Sequence, residues 1–273
     1  MWTEINGKAG CVCQPAKEGK LRCPLIIRPT SEDVITGNLF QALHILNPMW
    51  WVSDLLNQAL DDQRFKRQVY RKLRIALWGN RPYFPRELLP WTEGSTQVDV
   101  TVTWENPATT VFFELKYGAD LSPKTAGDSG DHGYPSDQLI RNARVGLLET
   151  GWFQQERLFE VKPRDFVLIL VGPDSGNPLV KKYRDPEKML AAIPHNDRLP
   201  TLPRTPFIGE LSFLDIIGIL EKNRRWFTRP ERQVADDLTK YLDYKRGRVP
   251  PKWCGWSQPS KGVGSFENAD QPE

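Results

Sequence analysis

Cysteine is scarce in this chain of 273 residues, and the four present, Cys11, Cys13, Cys23 and Cys254, are poorly spaced for structural zinc. Such sites use cysteine pairs separated by roughly two to four residues. Here a single residue separates Cys11 from Cys13 and Cys254 lies far along the chain, so reduced thiols of an intracellular protein are the plainer reading. Long apolar runs are missing, which excludes a transmembrane helix. The opening residues carry charges where the apolar stretch of a secretory signal would stand, so a cytoplasmic location is expected. No Gly-Lys-Ser/Thr phosphate loop occurs, and none of the nucleotide hydrolysis that such a loop supports is expected. No internal repeat is visible. A strong charge imbalance is lacking too: 37 Lys and Arg against 34 Asp and Glu give +3, which permits nucleic-acid binding without arguing for it.

What is present suffices for one full-sized domain. Hydrophobic residues make up 39% and charged residues 26%, an ordinary balance for a packed core. The 10 Trp are more readily core anchors than a binding face. Residues 1–24 read as a flexible N-terminal arm, 25–248 as the domain and 249–273 as a C-terminal tail.

Periodicity gives the elements. Thr30 and Ser31 are good helix N-caps, Glu32 and Asp33 suit a first turn, and Ile35, Leu39, Leu43 and Leu46 line one helical face ahead of Pro48. A second helix, with an interruption, is expected over 53–78, and 79–95 as loop or short strand. Strands are expected over 96–104 and 109–117, a mobile Gly/Asp/Ser/Pro-rich loop over 118–136, and a helix over 137–149 with Leu139, Ala143 and Leu147 on one face. A buried strand at 166–171, a strand near Phe207 and closing helices near 212–224 and 229–244 complete the order. The fold class is α/β, a mixed central sheet of four to five strands flanked by helices.

The two central strands carry the chemistry. Closed symmetrically about Asn106-Pro107, they oppose Val98 with Leu115, Val100 with Phe113 and Val102 with Val111, and all six share one apolar face. A slip of one residue would expose that set, so the register is specified. The same register sets Asp99 against Glu114, with Lys116 on the face of Glu114. Two carboxylates opposed across strands repel by up to about 1 kcal/mol. A divalent cation compensates, and oxygen donors with open positions suit Mg²⁺, for which Mn²⁺ substitutes. A neighbouring lysine can orient or deprotonate a water, or stabilise charge on a phosphate. The plainer reading is a solvated Glu-x-Lys strand face.

Asp99 followed by Glu114-Leu115-Lys116 on the next strand of a hairpin resembles the PD-(D/E)XK nuclease superfamily, which has the restriction-endonuclease-like fold. Residues 30–172 carry the resemblance well and the closing helices loosely. Val98 stands where the family name has proline. The resemblance implies a Mg²⁺-dependent nuclease with Asp99, Glu114 and Lys116 as catalytic residues. In that family a helix before the hairpin often adds an acidic residue, and Glu32 is placed to join Asp99 and Glu114 as a metal ligand. A Gln often stands on the helix after the Glu-x-Lys strand, and Gln138 matches it, with Arg141 on the same helix face for phosphate. Glu32 reads equally as a partner of its own helix dipole, and Gln138 and Arg141 as an ordinary polar helix face.

The resemblance implies DNA as substrate and leaves RNA, structured DNA, a homodimer and an ATPase or regulatory partner subunit open; a bacterial or antiviral defence effector is the setting it suggests. A catalytically silent nucleic-acid-binding or scaffold subunit of the same fold is the competing reading. Six Arg and Lys between Arg64 and Arg74, among them Arg67, Arg71 and Arg74, are the phosphate-contacting residues expected on the second helix, or else a solvated face. The run Lys222-Asn223-Arg224-Arg225-Trp226 flanks a cleft or caps a helix, and His132 is a loop histidine with a substrate contact as its one functional reading.

Overall fold

The computed structural model describes residues 31–81, 85, 88–89, 91, 93–118, 121, 133–153 and 162–247. The arm, the tail, His132 and all four cysteines lie outside the described residues, as does most of the Gly-rich loop.

Five strands form one mixed sheet in the order β1-β2-β3-β4-β5: Arg71–Arg81, Thr96–Glu105, Thr109–Leu115, Asp165–Gly172 and Ile208–Ser212. β1, β2 and β3 run antiparallel to their neighbours, whereas β3, β4 and β5 are parallel. The parallel pairs need crossovers, supplied by α3 (Gln138–Glu149) between β3 and β4 and by α4 (Pro178–Tyr183) and α5 (Pro186–Ala191) between β4 and β5. The remaining helices are α1 (Glu32–Ile45), α2 (Val52–Leu60), α6 (Phe213–Asn223) and α7 (Arg229–Arg246). Among the described residues no helix is long and apolar enough to cross a membrane.

Both faces of the sheet are covered. One core cluster joins Ile35, Leu39 and Leu43 of α1 and residues of α2, α6 and α7 to Val100, Val102, Val111, Phe113 and Leu115. The other joins Leu139, Ala143 and Leu147 of α3, with α4 and α5, to Phe112, Phe166, Leu168 and Leu170. Continuous burial of β4, Phe166 through Gly172, follows from helices on both sides. Gly146 lets α3 lie against β4, since a Cβ there would stand 2.0 Å from the Phe166 ring.

The β2–β3 register has the expected pairing, Val100 with Phe113 and Val102 with Val111. Val98 differs: it packs into the α3-side cluster, while Val100 and Val102 face the other. The β2–β3 ladder runs from Trp104–Thr109 to Val100–Phe113; one step further the Asp99 carboxylate takes the Leu115 N–H at 2.9 Å. The simple alternation of the hairpin breaks where the polar site begins.

A long second helix does not form. α2 stops at Leu60, where Asp61 turns left-handed (φ 52°), and the chain re-enters as strand β1. Half-buried Leu73, Ile75 and Leu77 alternate with exposed Lys72, Arg74 and Ala76, a period of two. Arg64, Lys66 and Arg67 lie in an irregular connection, and Arg71, Lys72 and Arg74 on an edge strand, so the basic cluster is not a helix face.

Candidate active site

Antiparallel pairing brings the start of β2 beside the end of β3, and this end of the sheet gathers the candidate residues. Lys116 follows β3 directly, and its N–H donates to the Val171 carbonyl at 2.9 Å, extending the parallel ladder with β4. Glu114 is wholly buried on the α3 side. Its Oε1 accepts from Lys116 Nζ at 2.9 Å and from Gln138 Nε2 at 2.5 Å; its Oε2 accepts from Asn142 Nδ2 at 2.9 Å. Gln138 and Asn142 stand one helical turn apart on α3, whose N-terminus is capped by Asp137 accepting from the Ile140 N–H at 3.0 Å.

Glu32 reaches the same place from the opposite layer. Standing at the first turn of α1, it accepts the Tyr117 N–H at 2.8 Å with Oε1, and its Oε2 lies 3.6 Å from Lys116 Nζ. The structure therefore brings Glu32 to the strand end rather than leaving it only a partner of its own helix dipole. Lys116 is an ammonium clamped between two carboxylates, and 8% of the residue is exposed.

The electrostatics are out of balance. Burial and the charge of Glu114 push the Asp99 carboxyl well above its ordinary range, although the Leu115 N–H and Lys116 oppose this. Burial likewise raises Glu32, against the pull of Lys116 and the Tyr117 N–H. Lys116 is raised despite its burial, because Glu114, Glu32 and Asp99 all favour its charged form. Three carboxylates share one ammonium here.

Such a donor set fits a hard divalent cation in atom type and charge: all the ligand atoms are carboxylate oxygens, and net negative charge is in excess. In number it falls short. Among the described residues no three Asp, Glu, His or Cys side chains cluster closely enough to hold a metal by themselves. A cation against Asp99 and Glu114 would complete its shell with water, which Mg²⁺ ordinarily retains.

The proposed nucleic-acid contacts divide. Arg141 stays near the site, its Nη2 donating to Thr96 Oγ1 at 3.2 Å and its Nε 3.8 Å from Glu93, and so it braces the approach to β2. Arg67 is spent on Asp54 at 3.1 Å and Asn223 at 2.5 Å. Arg71 and Arg74 are exposed, but they pair in register with Glu105 and Thr103 at the far end of β2. From Glu105 to Asp99 is six strand residues, about 20 Å. Arg67, Arg71 and Arg74 thus do not flank the carboxylates.

Two features went unread in the sequence. Asn142 repeats Gln138 at a spacing of four, a signal that was available. The other is a buried pair, Arg144 with Glu93, under the Trp91 ring, with Arg144 Nη1 donating to the Pro135 carbonyl at 3.1 Å. It joins α3 to the segment before β2 and so holds Gln138 and Asn142 relative to Asp99. Nothing in the local pattern pairs residues 51 positions apart. Compared with family models, curated proteins and solved structures, the chain matches none.

Proposed function

We propose that the protein is a metal-dependent nuclease hydrolysing phosphodiester bonds, with DNA as substrate. The observation that carries this reading is the convergence of Asp99, Glu114 and Glu32 around Lys116 at one end of the central strands, with more negative charge than the side chains neutralise. The sequence resemblance to the PD-(D/E)XK superfamily points the same way.

Asp99 and Glu114 would hold the cation, with Glu32 beside them. A bound Mg²⁺ supplies a polarised phosphate oxygen and a water of lowered pKa. Gln138 and Asn142 fix the Glu114 carboxylate by donating to its two oxygens. Glu32 and Glu114 hold Lys116 protonated, so its role is to donate to a phosphate oxygen or orient the water, not to remove a proton. Purified protein is expected to cut supercoiled plasmid with Mg²⁺ or Mn²⁺ and to stop with chelator. Unchanged cleavage by Lys116→Ala and Glu114→Ala proteins sinks the assignment.

One observation favours a second reading, a silent nucleic-acid-binding or scaffold subunit: both Glu114 oxygens already have donors, and no three-ligand cluster stands among the described residues. Calorimetric titration with Mn²⁺ separates the two, since a scaffold takes up no metal at Asp99 and Glu114. Parallel digestion of duplex DNA, single strands, branched DNA and RNA sorts the substrate. A homodimer, and an ATPase or regulatory subunit as trigger in a defence system, belong to the same proposal; pull-down from the native host tests the partner.

A further inference from the structure

The basic run Lys222-Asn223-Arg224-Arg225-Trp226 has no place in the carboxylate site. It ends α6 and enters a short 3₁₀ turn, Arg224–Trp226. There Trp226, 46% exposed, stacks on Trp50 with ring centroids 5.3 Å apart and planes 13° from parallel. Arg67 lies over Trp50 at 5.3 Å and Arg225 over Trp226 at 4.8 Å. Four flat groups thus stand in a row, Arg67, Trp50, Trp226 and Arg225. The inner end is fixed, because Arg67 is bound to Asp54 and Asn223. The outer end is open: Arg225 is exposed and has no carboxylate partner among the described residues.

We infer that the Trp226–Arg225 end of this stack is a docking surface for an unpaired nucleic-acid strand, a base stacking on the Arg225 guanidinium that Trp226 backs, or taking its place on the Trp226 ring, while neighbouring cations meet its phosphates. Aromatic rings and guanidinium planes receive unstacked bases, whereas bases inside a duplex present no free face. The charge agrees. Of the five cations in residues 222–232, Lys222 pairs with Asp54 at 3.3 Å and Arg224 with Asp236 at 2.8 Å, while Arg225, Arg229 and Arg232 have no ion pair among the described residues. Trp50 lies just past the end of α1, whose 14 residues span about 20 Å, while Glu32 at the start of α1 sits in the carboxylate site. Docking and chemistry are therefore at separate places, and the inference goes beyond the nuclease reading without resting on it.

The test is titration of full-length Lys116→Ala protein, in chelator, into fluorescein-labelled oligo-dT, followed by anisotropy and by quenching of tryptophan emission. Adding Trp226→Ala is expected to weaken binding about tenfold, the usual worth of a base–aromatic stack, and Trp226→Phe to recover most of it. Arg225→Gln is expected to weaken binding and to reduce its salt dependence by roughly one phosphate contact. Affinity for a blunt duplex should stay the same in all three. Equal oligo-dT affinity in Trp226→Ala and Arg225→Gln proteins, with only the melting temperature lowered, overturns the inference and leaves the stack a clamp between α6 and the Pro48–Trp50 turn. Arg225→Gln alters only an exposed side chain, so it carries the test if Trp226→Ala fails to fold. Plasmid cleavage by the wild type is read separately, so neither result stands in for the other.

Discussion

Glu93 with Arg144 and Glu114 with Lys116 are both buried ion pairs close to α3, and they are built differently. The first is closed. The Glu93 carboxylate meets the Arg144 guanidinium directly with one oxygen and has Arg141 Nε 3.8 Å from the other; the Trp91 indole N–H donates to the oxygen that Arg144 holds at 3.1 Å, its ring covers Arg144, and the Pro135 carbonyl takes a further guanidinium hydrogen. The second is overloaded, with Asp99 and Glu32 crowding a pair that was already matched. A pair that serves only the fold gains by being balanced, since any uncompensated buried charge is costly. Excess charge at Asp99 and Glu114 costs stability, and it is the imbalance that the proposed cation would offset.

Breaking the balanced pair should produce the largest change. Arg144→Ala leaves the buried Glu93 with only the longer Arg141 contact and the Trp91 N–H, and should cost about 3 kcal/mol in urea unfolding. Adding Glu93→Gln should return much of that loss. A loss under about 1 kcal/mol for the single variant would remove the contrast between the two clusters.

Next in size are changes at the overloaded cluster. Lys116→Ala and Glu114→Ala should lower plasmid cleavage by about a hundredfold or more, the usual worth of an electrostatic group acting on the transition state. Circular dichroism checks that both proteins fold.

Protonation sharpens the comparison further. The Asp99 carboxyl is raised from its ordinary 3.8 and Glu32 from 4.5, so the folded state binds their protons more tightly than the unfolded chain. Stability of the metal-free protein should therefore rise as pH falls from neutral towards these ordinary values, and be lost as pH rises through the elevated ones. Thermal melts at about pH 7.5 and pH 5 measure this. Asp99→Asn should flatten the dependence and raise the melting temperature at neutral pH. Mg²⁺ should stabilise the wild type and not Asp99→Asn; equal stabilisation of both would place the cation elsewhere.

The smallest stability effect is expected at Asn142. Its Nδ2 holds Glu114, but its Oδ1 is buried without a hydrogen-bond partner. Asn142→Ala removes a good donor and an unsatisfied acceptor together, so the net change should stay near 1 kcal/mol while cleavage falls. A drop in stability as large as that of Arg144→Ala would show that Asn142 belongs to the closed network instead.

Legibility in the sequence followed the range of the forces involved. α1 was readable because Ile35, Leu39 and Leu43 repeat with helical spacing and Ser31 caps the start, its side chain accepting the Val34 N–H. α3 and the closing helices were readable in the same way. β1 was not, because its apolar positions are only half-buried on an edge strand, Lys72 and Trp78 take left-handed conformations, and the six cations imitate a helix face. α4 and α5 have 6 residues each, too few to show a period. Tryptophan was readable as a core residue at Trp51, Trp78, Trp91 and Trp104, whereas Trp226 lies on the surface.

The sequence by itself determined the hairpin register, and with it the meeting of Asp99 with the end of β3. Alternating valines facing a buried layer admit only one pairing, because any slip exposes them. Tertiary structure alone decided the rest of the site. It carried Glu32 in from the far layer to Lys116, turned Val98 to the α3 side, tied Arg67 to Asp54 and Asn223, and set Glu93 against Arg144. Each of these joins residues distant in sequence, and the packing of helices on a completed sheet, not any local period, fixes which of them meet.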